Sequence, residues 1–172
     1  LLTIPAFMGI AFLAYDITYV LFEHGNFTSD ATAKTASALF IFSFGLPSYV
    51  LIKVFSSNFF ANGDTKTPVY IASISLVINV VISLVFLPVF QHVAIAFGSV
   101  AAAWFNSSAL WAIAHKRKRY KMPKEMVIRM IKMIISSLLM VIVLLLVQGF
   151  MIYLHEVLAL LIMITVGAAA YL

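Results

Sequence analysis

The chain has 172 residues, of which 64% are hydrophobic and only 10% charged, with a net charge of +5 and no cysteine. A soluble domain carries about 25% charge, so a wetted globular surface is excluded, as are intrinsic disorder and a disulfide-stapled scaffold. The charge is also unevenly placed: eight of the eleven basic residues lie between Lys116 and Lys132. Such a cluster set between apolar runs points to anionic lipid headgroups and not to nucleic acid. The chain begins at Leu1 and stops in an apolar run at Leu172, as expected of a fragment of a larger membrane protein.

Six membrane spans are expected. The first runs from Leu1 to Phe22, with Gly25 as its stop. Thr28, Ser29 and Asp30 offer N-caps for a second, Thr32 to Phe60, bent at Gly45 and Pro47. Asn62-Gly63-Asp64 forms a turn, and Thr67-Pro68 supplies an N-cap and N1 proline for a third span ending near Phe90. The 49 residues between Lys66 and Lys116 contain no charged side chain. A span needs ~20 apolar residues, so this interval holds two, broken at Pro88, Gln91 and His92. The fourth span therefore covers Val93 to Ala114. A basic stretch containing Pro123 precedes a fifth span, Met130 to Tyr153, and a sixth starts at Glu156. Barrel-strand alternation is absent, so the expected class is an all-α polytopic transmembrane bundle.

The positive-inside rule places the Lys116–Lys124 loop in the cytoplasm. Alternation puts Asn62–Lys66 there too and leaves three outer loops without Lys or Arg. Lys53 falls inside the second span, where a charge is costly unless it faces protein or water, so it is a candidate functional residue. Asp16 lies at a depth ~17 Å from Lys53, too far for an ion pair. Ser75, Asn79 and Ser83 share a face of the third span, and Ser99 and Asn106 share one on the fourth. These polar groups suit interhelical hydrogen bonding, with a monovalent-cation site as the alternative. No His-x-x-x-His pair, nucleophile elbow or glycine-rich phosphate loop is present, so neither an enzyme nor a firm metal site is expected.

Two stretches resemble a known family. LFEHGNFT, from Leu21 to Thr28 and including Glu23 and Gly25, resembles a segment of the MurJ/MviN family of lipid II flippases. GLPSYVLIKVFSSNFFANGDTKTPV, from Gly45 to Val69, resembles that family's longer signature, with Lys53 and the Gly63, Asp64, Thr65, Pro68 turn in register. The resemblance implies the C-terminal part of a fourteen-helix transporter of the multidrug/oligosaccharidyl-lipid/polysaccharide exporter superfamily. Residues 1–115 would be four helices of the second lobe and residues 116–132 a basic connector. Residues 133–172 would be two additional helices flanking the lipid tail. The implied activity is export of a lipid-linked disaccharide-peptide across the bacterial inner membrane by alternating access, in cell-wall biogenesis and cell shape. A related polysaccharide-lipid flippase, a multidrug/cation antiporter and a non-transporting scaffold are the alternatives. Lys53 would then be a cavity or interlobe residue, and Asn62, Gly63, Asp64, Thr65, Lys66 and Pro68 a cytoplasmic gate. Asn79, Ser83, Ser99 and Asn106 would line a polar face, with no cofactor beyond cation coupling. Partners implied are the lipid substrate, anionic lipids at Lys116–Lys132 and the missing N-terminal part of the chain.

Overall fold

The computed structural model describes residues 3–25, 27–117, 124–150, 162 and 164–167. All regular elements among them are α-helices: α1 (Thr3–Phe12), α2 (Ala14–Phe22), α3 (Ser29–Ser43), α4 (Leu46–Ala61), α5 (Lys66–Phe90), α6 (His92–Lys116) and α7 (Lys124–Phe150). They form two compact units, one built from α1, α2, α3 and α7, the other from α4, α5 and α6. Ser29–Ala61, Lys66–Phe90 and Val93–Lys116 are long and apolar enough to cross a membrane, and α1 with α2 makes a fourth if the bent pair is one span. At the fifth expected span, α7 is already helical at Lys124, earlier than Met130, and its apolar stretch among the described residues, Ile131–Leu146, is shorter than a full span. The sixth lies almost wholly outside the described residues.

In the first unit, the single helix expected over Leu1–Phe22 is two helices meeting at 66°. No proline or glycine stands at the break. Leu13 sits there, 4% exposed, in a cluster with Met140 and Leu144 of α7, flanked by Phe12 and Ile17. Hydrogen bonds from Leu13 N–H to the Gly9 carbonyl and from Ile17 N–H to the Leu13 carbonyl carry the backbone around the bend. α3 packs against both halves of the pair. Its start is capped by Thr28, whose Oγ1 accepts from the Ala31 N–H at 3.4 Å.

The second unit is organised by a hairpin with equal arms. α5 and α6 have 25 residues each and are joined by the single residue Gln91, so Lys66 and Lys116 end the two arms together. Each arm is roughly 37 Å long, enough for a ~30 Å hydrocarbon core. Pro88 lies within α5 and removes one backbone donor, and the helix ends two residues later. Gln91 then turns the chain with φ +47, a conformation costly for a residue with a Cβ. Phe86 of α5 meets Phe97 of α6 edge-on at 5.6 Å just inside this turn.

Farther along, the arms approach closely at Gly98. A Cβ on Gly98 would sit 2.3 Å from Ser83 Oγ and 3.0 Å from the Asn79 carbonyl oxygen. Lipid supplies no hydrophobic drive for helices to associate, so small residues and interhelical hydrogen bonds hold such seams. Ala94 and Ala102, one turn to either side of Gly98, are fully or almost fully buried. At the other end of the hairpin, α4 packs onto α6 through Phe55, Phe59, Leu110 and Ala114, with Ile71 of α5 completing the cluster. Trp104 Nε1 donates to the Phe44 carbonyl at 3.0 Å, fastening the entry of α4 to α6. Buried hydroxyls here bond backward along their own helices, as Ser75 does to Ile71 and Ser48 to Gly45.

Gly98→Ala is expected to lower stability by about 1–3 kcal/mol through overpacking. Adding Ser83→Ala, which removes the atom nearest the new methyl, should restore only part of the loss, because the Asn79 carbonyl oxygen still lies 3.0 Å from it. Thermal melting of the full-length protein in detergent reads both effects, and equal melting of Gly98→Ala and wild type would contradict the seam.

Candidate functional site

The strongest local chemistry lies where α4 turns into α5. α4 ends in a Schellman motif: Gly63, at φ +74, donates its N–H to the Phe60 carbonyl at 2.9 Å. The Asp64 N–H reaches back to the Phe59 carbonyl at 3.0 Å, and the Asn62 N–H bonds to that same carbonyl at 3.1 Å. A residue with a Cβ is disfavoured at Gly63, which explains the glycine. Asn62 also donates from Nδ2 to the Asn58 carbonyl at 2.7 Å.

Asp64 then starts α5. Its Oδ1 accepts from the Thr67 N–H at 3.0 Å, and its Oδ2 accepts from the Thr67 hydroxyl at 2.8 Å. The capping expected of Thr67 is therefore done by Asp64, because the helix begins earlier, at Lys66. Thr65 makes no side-chain capping bond, Lys66 is exposed, and Pro68 is buried in the first turn, where its missing N–H costs nothing. Asp64 Oδ2 also accepts from Arg117 Nη1, forming an ion pair. Arg117 caps the far end of α6, donating its backbone N–H to Ile113 at 3.0 Å, and its guanidinium lies 6.0 Å from the centre of the Phe59 ring. Hydrogen bonds from Thr67, then Arg117, hold the Asp64 carboxyl below its ordinary 3.8, at about 2.

Arg117 was not singled out from the sequence, where it is one of many basic residues and stands 53 positions from Asp64. The signal was present in the hairpin: two spans of equal length return the chain to its starting face.

The structure brings Asn79, Ser83 and Ser99 together across the α5–α6 seam. Ser83 Oγ donates to Asn79 Oδ1 at 3.2 Å, and Asn79 Nδ2 faces Ser99 Oγ at 3.5 Å. Asn106 stands apart, two turns along α6, with its Oδ1 buried and without a partner among the described residues. Neither α5 nor α6 contains an Asp or Glu. Lys53 joins neither group. It is exposed on the face of α4 that also carries Tyr49, Val50, Val54 and Ser57, away from the Phe55 and Phe59 contacts to α6. In the LFEHGNFT segment, Gly25 takes φ +64 and the Phe27 N–H bonds to the His24 carbonyl. Phe27 thereby meets Phe22 at 6.0 Å, while Glu23 Oε2 is buried without a hydrogen-bond partner among the described residues. The side chains of residues 118–130, which carry most of the basic run, lie outside the described residues.

A carboxyl held down in the folded state stabilises above its unfolded value and stops doing so as pH falls through its folded value. The melting gap between wild type and Asp64→Asn should therefore stay constant from pH 8 to about 4 and close toward about 2. A gap that closes near neutral pH would contradict the Thr67 and Arg117 contacts.

Comparison with known proteins agrees with this architecture. The family model described as "Lipid II flippase MurJ" matches residues 1–166. The probable lipid II flippase MurJ of Rickettsia prowazekii is 35% identical over 150 residues, 87% of this chain and 30% of that protein. That of Rhizobium tropici is 34% identical over 139 residues, covering 81% of this chain and 26% of the relative. A solved structure titled "Lipid II flippase MurJ, inward closed conformation" superposes with a TM-score of 0.81 at 27% identity, covering 98% of this chain and 34% of that one. The chain thus spans about a third or less of the proteins it matches. With its apolar helices, its turn motif and these likenesses together, the chain belongs to the MurJ family of lipid II flippases.

Proposed function

We propose that this chain supplies part of the transport lobe of an inner-membrane flippase that moves lipid II, a lipid-linked disaccharide-peptide, from the cytoplasmic to the outer leaflet. The observation that carries the reading is the family match over residues 1–166, supported by the close superposition on a solved flippase. A charged headgroup cannot cross ~30 Å of hydrocarbon without a polar path, whereas its polyprenyl tail can stay in lipid. Alternating access meets that need with no covalent chemistry, so no catalytic residue is assigned.

In this reading Lys53 lines the headgroup path. It sits on a face of α4 that the second unit leaves open, and an intramembrane cation there suits a pyrophosphate. The Asn62–Lys66 turn and Arg117 share one end of the unit through the Asp64 ion pair. Positive-inside placement of the Lys116–Lys124 loop makes that end cytoplasmic, and anionic lipids are the partners of Lys116–Lys132. Residues 1–115 act as second-lobe helices, 116–132 as the connector and 133–172 as the pair flanking the tail. Asn79, Ser83 and Ser99 serve first as the hydrogen-bonded seam, with monovalent-cation coupling as their second role.

Depletion of the full-length protein in its native bacterium should trap lipid II in the cytoplasmic leaflet, with rescue by wild type. Lys53→Ala is expected to slow flipping at least ~tenfold, a barrier change of ~1.4 kcal/mol, and Lys53→Arg to retain most activity. Normal crossing in the absence of this and any second flippase would overturn the transport reading, and full rescue by Lys53→Ala would remove Lys53 from the path. If Asn79→Ala leaves flipping and its cation dependence unchanged, the seam has a packing role alone.

A further inference from the structure

α4 and α5 are consecutive, yet they touch each other little, and α6 lies against both. Two things therefore hold the three helices together at the end opposite Gln91: the Phe55–Phe59–Leu110–Ala114 packing and the attachment of the α4–α5 turn to α6. That attachment runs through one carboxylate. Asp64 closes the Schellman end of α4 with its backbone, caps α5 with its side chain, and pairs with the residue that caps α6.

An ordinary surface ion pair contributes little, because two free side chains must be ordered to make it. This pair differs in geometry. The Asp64 side chain is only 19% exposed and is already fixed by two Thr67 bonds, and Arg117 is steadied over the fully buried Phe59 ring. The carboxylate is thus ordered before the pair closes, and Arg117, 42% exposed, is the side that closing must order. Arg117 is also the point at which the chain leaves α6 for the basic segment that leads to α7.

We propose that Asp64 and Arg117 are positioning residues that latch the α4–α5 turn to the end of α6, so that α4, α5 and α6 move as one body during transport. The proposal rests on the flippase reading. It adds a mechanical role: displacement at the Arg117 end of α6 is delivered to α4, and with it to Lys53. Neither latch residue needs to touch the substrate.

The test uses the full-length protein in proteoliposomes loaded with lipid II, with wild type establishing that flipping occurs. Wild type that does not flip lipid II contradicts the transport reading itself, independently of the latch. Asp64→Asn keeps an acceptor for the Thr67 N–H and removes the charge, and Arg117→Gln removes the partner. Each should lower the maximal flipping rate about threefold to tenfold with unchanged apparent KM, and the double variant should be no slower than either single one. The decisive arm joins Asp64→Cys with Arg117→Cys and bridges the two thiols with a short bifunctional reagent. The unbridged protein should be slow and the bridged protein restored, because a covalent tie replaces the ion pair. Wild-type rates in both single variants, additive losses in the double variant, or a bridged protein that stays slow would each overturn the latch. The last result would assign Arg117 to a lipid or substrate phosphate instead.

Discussion

The absence of a side chain at Gly98 is the constraint on which the second unit depends. With no Cβ there, α5 and α6 close to a distance at which Asn79 of α5 reaches Ser99 of α6, while Ser83 bonds to Asn79 along α5. In a bilayer these polar groups have no water to return to, so a satisfied seam is favoured over separated helices. The seam fixes the register of the hairpin, and a hairpin with equal arms returns Lys116 to the level of Lys66. Only then is Arg117 within reach of Asp64. The packing of α4 follows, since the cluster of Phe55 and Phe59 is completed by residues from both arms.

Much of this was legible in the sequence. The charge-free interval between Lys66 and Lys116 gave the hairpin, because lipid tolerates so few charges that their absence marks the spans. Asn62-Gly63-Asp64 gave the turn, since glycine accommodates the left-handed residue that ends a helix. Periodicity alone placed Ser75, Asn79, Ser83, Ser99 and Asn106, and three of the five meet at the seam, whereas Ser75 bonds back along α5 and Asn106 stands apart. Other features carried no local mark. The bend at Leu13 has neither proline nor glycine and coincides with tertiary packing by Met140 and Leu144. The Asp64–Arg117 pair depends on two intervening spans matching in length, a property of the whole hairpin. α7 starts earlier than its apolar run, because Lys124 to Lys132 mixes charges with helix-forming residues and so reads as a connector.

The distribution of polar groups bears on transport. One set, in the α5–α6 seam, is used internally to join helices. Another, Lys53 with Ser57 and Tyr49, is turned away from the packed face of α4. A transporter lobe needs both kinds, one to keep its helices together and one to meet a polar substrate. The relatives this chain matches are named as flippases of lipid II, and the chain covers about a third or less of their length.

Whether α4, α5 and α6 travel together is settled most directly by distances within the working protein. Spin labels at exposed positions 49, 85 and 105, one on each helix, would report the three separations in full-length protein in nanodiscs, with and without lipid II. The seam and the Asp64 attachment predict that all three separations hold to within ~2 Å across the inward-facing and outward-facing states. A change of about one helical turn, ~5 Å, between α4 and α6 would contradict it and make α4 a separately moving element.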